Sequence, residues 1–310
     1  MKEFLYLMKI GNLYGFINDE GKFIIEPIYK RANDYSDGLA LIETVNGIKG
    51  YINYDNEIVI SMECESLSDF NNGRAFFKIN GKSGFIDKNG NIVVNPEFDW
   101  VIHNYTQDGY SMVENEGKRY VIDLSGQYIF HDKYDGISLF SEGFAAVRNK
   151  GKLGFISKTG DIVIECIYSK VSLFSEGLAT ASIDGESYGY IDKTGNFVIQ
   201  PQFYQAFDFK ERFARFRDSK SKYGFIDKSG KVVIKNKYQY VGDFSEGLAV
   251  IQVKDRQGYI DTSGKVIVKP VFEPASEFKN GLAQVNYGGE WGYINKEGEF
   301  VYKPKGFDLW

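Results

Sequence analysis

The fold follows from the stretch Gly224-Phe225-Ile226-Asp227-Lys228-Ser229-Gly230. A Gly followed by an aromatic residue and Ile is typical of a strand whose backbone is closely approached by a neighbour. The Asp-Lys-Ser-Gly tetrad is typical of a tight turn, because Asp bonds to the backbone just downstream and Gly accepts a positive φ. The stretch therefore predicts a strand, a hairpin turn and the start of another strand.

The Gly-aromatic-Ile signal recurs along the whole chain at intervals of 34 or 35 residues. Its copies are Gly15-Phe16-Ile17, Gly50-Tyr51-Ile52, Gly84-Phe85-Ile86, Gly154-Phe155-Ile156, Gly189-Tyr190-Ile191, Gly224-Phe225-Ile226, Gly258-Tyr259-Ile260 and Gly292-Tyr293-Ile294, with a degenerate copy at Arg119-Tyr120-Val121. Such a fixed period indicates a repeat architecture.

One repeat is predicted to contain three short antiparallel strands, illustrated by Leu178 to Ile183, Tyr188 to Ile191 and Asn196 to Gln200. A Ser-Glu-Gly turn, as at Ser175-Glu176-Gly177, precedes the first strand, and an irregular return segment such as Tyr204 to Lys210 follows the third. Apolar residues do not recur with a helical period, so we expect almost no helix.

Both faces of these strands carry apolar residues, so each repeat must be covered by its neighbours. Leu248 and Val250 lie on one face, and Ala249 and Ile251 lie on the other. The predicted fold is all-β: a single domain, 1–310, built as an open, superhelical array of nine three-stranded meander repeats. Repeat boundaries are expected near positions 36, 71, 107, 141, 175, 210, 245 and 279. A closed or part-closed β-propeller-like ring is the alternative.

Composition narrows the class of partner. The 310 residues include 37 Lys and Arg against 42 Asp and Glu, a net charge of −5, which disfavours nucleic acid. No apolar run reaches the roughly 18 residues that a membrane span needs, and the N-terminal sequence does not resemble a signal peptide, so we expect a cytoplasmic protein. Two cysteines, Cys64 and Cys166, are too few for a disulfide framework.

These landmarks resemble the bacterial WG repeat family, also called KWG repeats, and the fullest copy is Trp291-Gly292-Tyr293-Ile294-Asn295-Lys296-Glu297-Gly298. The resemblance covers essentially the whole chain, although only this copy keeps Trp before Gly. It implies an all-β repeat protein with a role in interaction or cell-envelope recognition. The family brings no catalytic residues to carry over.

No motif in the sequence predicts catalysis, a metal site or a cofactor. The recurring Asp at the tetrads, as in Asp87, Asp192 and Asp261, is explained by turn formation in successive copies. His103 and His131 lie far apart in sequence, without Cys or acidic residues at ligand spacing. We therefore expect a protein that is not an enzyme.

One register of the repeat varies where its neighbours are constant. The second residue after the closing aromatic of the third strand is Arg31, Ser66, Trp100, Gly136, Lys170, Gln205, Tyr240 or Pro274 in successive copies. Variation at one register indicates exposure, and Trp is unusual among such polar residues. Trp100, with His103, Tyr105 and Arg119 in the same irregular repeat, is the predicted recognition patch, and Tyr240 is a further candidate.

Three functions are compatible with this sequence. The first is a non-catalytic binding or scaffold protein that recognises a protein or polymer through surface loops repeated along the array. The second is a cell-envelope or carbohydrate-binding module that uses exposed aromatic residues, with a polysaccharide as its partner. The third is a hydrolase with its site in the divergent fourth repeat.

Overall fold

The computed structural model describes residues 4–130 and 133–303, which contain 33 β-strands and no helix. The all-β prediction is confirmed. His131 and the C-terminal residues 304–310 lie outside the described residues.

The strands are short, and most have four to seven residues. In chain order they are β1 Tyr6–Ile10, β2 Leu13–Ile17, β3 Phe23–Ala32, β4 Ala40–Thr44, β5 Lys49–Ile52, β6 Ile58–Ser61, β7 Ser66–Leu67, β8 Ala75–Ile79, β9 Lys82–Ile86, β10 Ile92–Phe98, β11 Trp100–His103, β12 Ser111–Asn115, β13 Lys118–Ile122, β14 Tyr128–Ile129, β15 Gly136–Ser141, β16 Phe144–Asn149, β17 Lys152–Ser157, β18 Ile162–Tyr168, β19 Lys170–Val171, β20 Ala179–Ser182, β21 Tyr188–Ile191, β22 Phe197–Phe203, β23 Gln205–Lys210, β24 Phe213–Arg217, β25 Tyr223–Asp227, β26 Val232–Tyr238, β27 Tyr240–Ser245, β28 Leu248–Val253, β29 Arg256–Asp261, β30 Val266–Phe272, β31 Ala283–Tyr287, β32 Glu290–Ile294 and β33 Phe300–Tyr302.

Within the described residues these strands form eight antiparallel meanders, in which each strand pairs with its neighbours in sequence. Six sheets have four strands. The first has six strands because β3 continues without a break through two repeats, and the last has three. Four-stranded meanders are the blades of β-propellers. Most of the sheets therefore have the strand number and order of propeller blades, the alternative to the three-stranded repeats that we expected first.

The prediction of three strands per repeat is wrong for most sheets, because the return segment forms a further strand. The stretch Tyr204 to Lys210, expected to be irregular, contains β23, which pairs with β24 as the first strand of the next sheet. Only Tyr204 separates β22 from β23. Because no Gly or Pro turn marks this junction, the sequence carries no signal that one strand ends and another begins.

The described residues divide into two compact units. One unit comprises 4–18, 22–130, 133–149 and 157–161, and the other comprises 19–21, 150–156 and 162–303. In each unit, buried clusters join neighbouring sheets. An example in the first unit contains Phe85 and Phe98 from one sheet with Tyr105, Val113 and Ile122 from the next repeat.

Strand β28 in the second unit shows how repeats cover one another. Leu248 and Val250 belong to a cluster shared with Val285 of the following repeat. Ala249 belongs to a different cluster, shared with Phe225 of the preceding repeat. The two faces of one sheet are thus buried by different neighbours, as the alternation of apolar residues predicts.

The Gly of the repeat signal allows the close backbone approach that we predicted. A Cβ atom added to Gly224 would lie 2.5 Å from the Ile234 carbonyl oxygen and 2.7 Å from the Asn236 nitrogen, both on β26. Real Cβ atoms do not come this close to backbone, so only Gly lets β26 approach β25 so closely at the register irregularity between their paired residues.

The fourth repeat has no Gly at this position. The sequence pattern aligned Arg119 with the Gly, but the structure aligns Tyr120 with it. In the other repeats the Gly lies three residues before the first residue of the following turn, as Gly224 lies before Asp227, and Gly224 pairs with Phe216 of the preceding strand. The corresponding pair in the fourth repeat is Val113 and Tyr120, so Tyr120 takes the Gly position and Arg119 precedes it. Tyr120 can have a side chain at this position because β14 has only two residues, which pair with Val121 and Ile122, so its backbone does not approach Tyr120.

Acidic residues at the Ser-Glu-Gly turns and their equivalents tie successive repeats together. The Glu211 carboxylate accepts hydrogen bonds from the backbone N–H groups of Glu246, at 2.6 Å, and Gly247, at 2.8 Å, in the next turn. Lys228 of a tetrad turn reaches Glu176, with 3.1 Å between Nζ and Oε2. The repeated acids therefore have a structural role between repeats.

Candidate binding surface

The variable register of the sequence lies at the first residue of the first strand in most sheets. Its pairing partner lies near the end of the second strand, and that residue pairs in turn with one near the start of the third strand. We call these three aligned positions the cross-strand row. Five such rows are Arg31-Glu43-Lys49, Ser66-Lys78-Ser83, Trp100-Glu114-Arg119, Gln205-Arg217-Tyr223 and Tyr240-Gln252-Gln257.

The row of the fourth repeat contains two of the predicted patch residues. Trp100 is 59% exposed and pairs with Glu114, which pairs with Arg119 in turn. The Lys78 ammonium, from the preceding repeat, lies 3.5 Å from the centre of the Trp100 ring, a cation–π contact. Arg119 is exposed, with 3.9 Å between its Nε and the Glu114 carboxylate. The row offers an open indole face bordered by charges of both signs.

The other two residues of the predicted patch lie elsewhere. His103 is exposed at the far end of β11, and its carbonyl accepts a 2.6 Å hydrogen bond from the Ser111 hydroxyl. Tyr105 is fully buried against Phe85, and its hydroxyl donates a 2.7 Å hydrogen bond to the Asp123 carbonyl. Burial also raises the pKa of the Tyr105 phenol. Tyr105 is therefore a core residue, with no ring surface to offer a ligand.

Tyr240, the remaining candidate, begins β27 in the second unit and is 39% exposed. Its ring centre lies 6.2 Å from that of Tyr223, in an edge-to-face arrangement. Tyr223 belongs to the row of the preceding repeat. The aromatic surface of the second unit is thus built from neighbouring rows.

Arg217 is the row residue that the sequence reasoning missed. Its guanidinium carbon lies 5.7 Å from the Tyr204 ring centre and 6.0 Å from that of Tyr223. Terminal nitrogens of the guanidinium donate to Gln205 Oε1 at 3.3 Å and to Ser221 Oγ at 3.2 Å. A signal was available, because the end of the second strand varies from repeat to repeat as widely as the register that contains Trp100.

The tetrad Asp residues serve as turn residues, in line with the sequence prediction. The Asp227 carboxylate accepts hydrogen bonds from the Ser229 hydroxyl at 2.6 Å and from the Ser229 and Lys231 N–H groups at 2.9 and 3.1 Å. The Ser229 hydroxyl is the main cause that lowers the pKa of this carboxyl. An acid held ionised in this way cannot supply the protonated carboxyl that a hydrolase needs.

The cysteine thiols are also poorly suited to nucleophilic chemistry. Burial raises the pKa of both the Cys64 and the Cys166 thiols above the usual value. Among the described residues, no three His, Cys, Asp or Glu side chains are grouped so as to hold a metal ion. The part of the chain that the structure describes contains no helix long and apolar enough to cross a membrane.

Solved structures with a similar fold have little sequence in common with this chain. A eukaryotic initiation factor matches with a TM-score of 0.68 at 12% identity, over 97% of this chain and 95% of that chain. The dihydro-heme d1 dehydrogenase NirN, in complex with DHE, matches with a TM-score of 0.51 at 13% identity, over 88% and 75%. At these identities the similarity shows the fold alone. No curated protein matches the chain.

The family model described as "WG containing repeat" matches nine consecutive segments: 14–47, 50–82, 84–118, 121–152, 154–186, 188–219, 223–256, 258–291 and 291–308. These segments together span nearly the whole chain, and their period is that of the Gly-aromatic-Ile signal. The chain belongs to the WG repeat family.

Proposed function

We propose that this chain is a non-catalytic binding protein that recognises a protein or polymer partner through its cross-strand rows. The observation that carries this proposal is the contrast between constant and variable positions. The Gly-aromatic-Ile signal beside each row repeats almost unchanged and is buried, whereas no two of these five rows have the same composition. A repeated scaffold that presents varied side chains is suited to recognition.

Trp100 is the anchor we expect to contribute most. An indole that is 59% exposed has a large apolar area still to bury, and Trp and Arg are enriched among the residues that dominate binding energy. The Lys78 contact holds the ring in place before binding, which reduces the entropy lost when a partner orders it.

The test compares two variants in affinity capture from a lysate of the source organism, followed by a direct binding measurement with each captured component. Trp100→Ala should abolish capture of the partner, while the free energy of unfolding stays within about 1 kcal/mol of wild type. Ile92→Ala is the matched control, because Ile92 is 52% exposed but lies outside the rows, on β10. Capture unaffected by Trp100→Ala, or capture of a small metabolite alone, would contradict the proposal.

A further inference from the structure

A cleft of about 700 Å³ lies beside the row that contains Arg217. It is lined by Glu186, Ser187, Tyr188, Gln202, Tyr204, Gln205 and Arg217, with Phe203 and the Gly185 backbone. All of these residues belong to the second unit. The volume lies within the range of about 300–1,000 Å³ that is usual for small-ligand sites.

Arg217 has no ion-pair partner in this cleft, and the one carboxylate among the lining side chains, that of Glu186, lies more than 4 Å from its guanidinium. The row arginines Arg31 and Arg119 each have a carboxylate within 4 Å. For Arg217, none of the described residues places a carboxylate within that distance, and its hydrogen-bond acceptors are the neutral Gln205 and Ser221. Its Nε atom is buried without a hydrogen-bond partner. These two hydrogen bonds use one N–H from each terminal nitrogen, so two terminal N–H groups beside the tyrosine rings remain for an acceptor in the cleft.

The other lining groups are polar or aromatic, and no aliphatic side chain is among them. Tyr204 is 56% exposed, so its ring can cover the apolar face of a sugar ring. The amides of Gln202 and Gln205 and the hydroxyl of Ser187 can exchange hydrogen bonds with sugar hydroxyls. A peptide anchored by aliphatic side chains would find no matching apolar surface here.

We propose that this cleft binds a saccharide that carries a carboxylate, a uronic acid residue within a glycan. The Arg217 guanidinium pairs with the carboxylate, while Tyr204 and Tyr188 lie against the sugar rings and the polar groups bind hydroxyls. This inference rests on the proposed binding function and adds a ligand class for a second surface, separate from the Trp100 row.

The test is isothermal titration calorimetry of the full chain with trigalacturonate. Cellotriose serves as the neutral saccharide and triglutamate as an acidic peptide. Trigalacturonate should bind more tightly than either. In Arg217→Gln its affinity should fall by about tenfold or more, because a charge-assisted hydrogen bond is lost, while weak binding of cellotriose should not change. Tyr204→Ala should weaken both saccharides.

Arg256→Gln is the matched control, because Arg256 is a half-exposed arginine of the next repeat that is already paired with Glu273, with 2.9 Å between Nε and Oε1. It should leave trigalacturonate binding unchanged, and circular dichroism should show that every variant is folded. Equal loss in Arg217→Gln and Arg256→Gln, tighter binding of triglutamate, or no trigalacturonate binding at all would overturn the inference. Capture dependent on Trp100 would still stand in those cases, so the two proposals fail separately.

Discussion

Replacement of Gly224 by Ala tests the close approach of two strands on which every regular repeat depends. The added Cβ would lie 2.5 Å from the Ile234 carbonyl oxygen, whereas ordinary contacts begin at 3.4 Å. Strand β26 must therefore move by roughly 1 Å, or its pairing with β25 is lost. Overpacking of a core costs about 1–3 kcal/mol, and we expect the upper end, about 3 kcal/mol, because the obstructing atom is backbone and cannot rotate away.

The assay is urea unfolding followed by circular dichroism, with the wild-type chain and a matched Gly→Ala control. Gly136 is suitable because its φ is not positive and the nearest atom to an added Cβ is Arg148 Cβ at 3.9 Å. Gly136→Ala should change the free energy of unfolding by no more than about 0.5 kcal/mol, or slightly stabilise the chain. If Gly224→Ala is equally harmless, the close approach of the paired strands does not explain the Gly of the repeat.

Three further predictions concern single residues. Glu211→Ala removes the two carboxylate oxygens that accept hydrogen bonds from the N–H groups of the neighbouring turn. It should therefore lower the free energy of unfolding by about 1–3 kcal/mol, measured by urea unfolding. Asp227→Asn should reduce the loss of stability between pH 5 and pH 3, measured by urea unfolding at each pH. The folded state lowers the pKa of this Asp, so its stabilisation is present above the unfolded pKa of about 3.9 and is lost as the pH falls through the folded pKa. Tyr105→Ala should cost about 3–5 kcal/mol by the same assay, because it empties a buried site, whereas Trp100→Ala should cost less than about 1 kcal/mol.

Each of these predictions has its own control. Glu297→Ala changes an exposed turn Glu and should leave stability unaltered, so equal effects at Glu211 and Glu297 would remove the argument for contacts between turns. An unchanged pH profile in Asp227→Asn would mean that this carboxyl does not contribute to acid unfolding. Similar costs for Tyr105→Ala and Trp100→Ala would contradict the assignment of one to the core and the other to the surface.

The sequence was sufficient for the features that repeat. Period, strand class, tetrad turns and burial between repeats can be predicted because each depends on local chemistry: alternation of side chains along a strand, Asp and Gly at a turn, and Gly where backbones approach. The fourth strand was missed because Tyr204 joins β22 to β23 without a turn residue. The sequence pattern aligned Arg119 with the repeat Gly, whereas Tyr120 occupies that position, because the repeat period alone does not set strand register.

The candidate site was predictable only in part. Sequence variation correctly indicated that Trp100 and Tyr240 are exposed, but Tyr105 is close in sequence to Trp100 and is nevertheless buried. Arg217 could not be connected with Gln205 and Tyr223, because residues opposite one another across strands are separated by whole hairpins. Local sequence by itself determined what each strand and turn would be. Tertiary structure decided which variable side chains stand side by side, because strand register depends on bulges and loop lengths throughout the sheet.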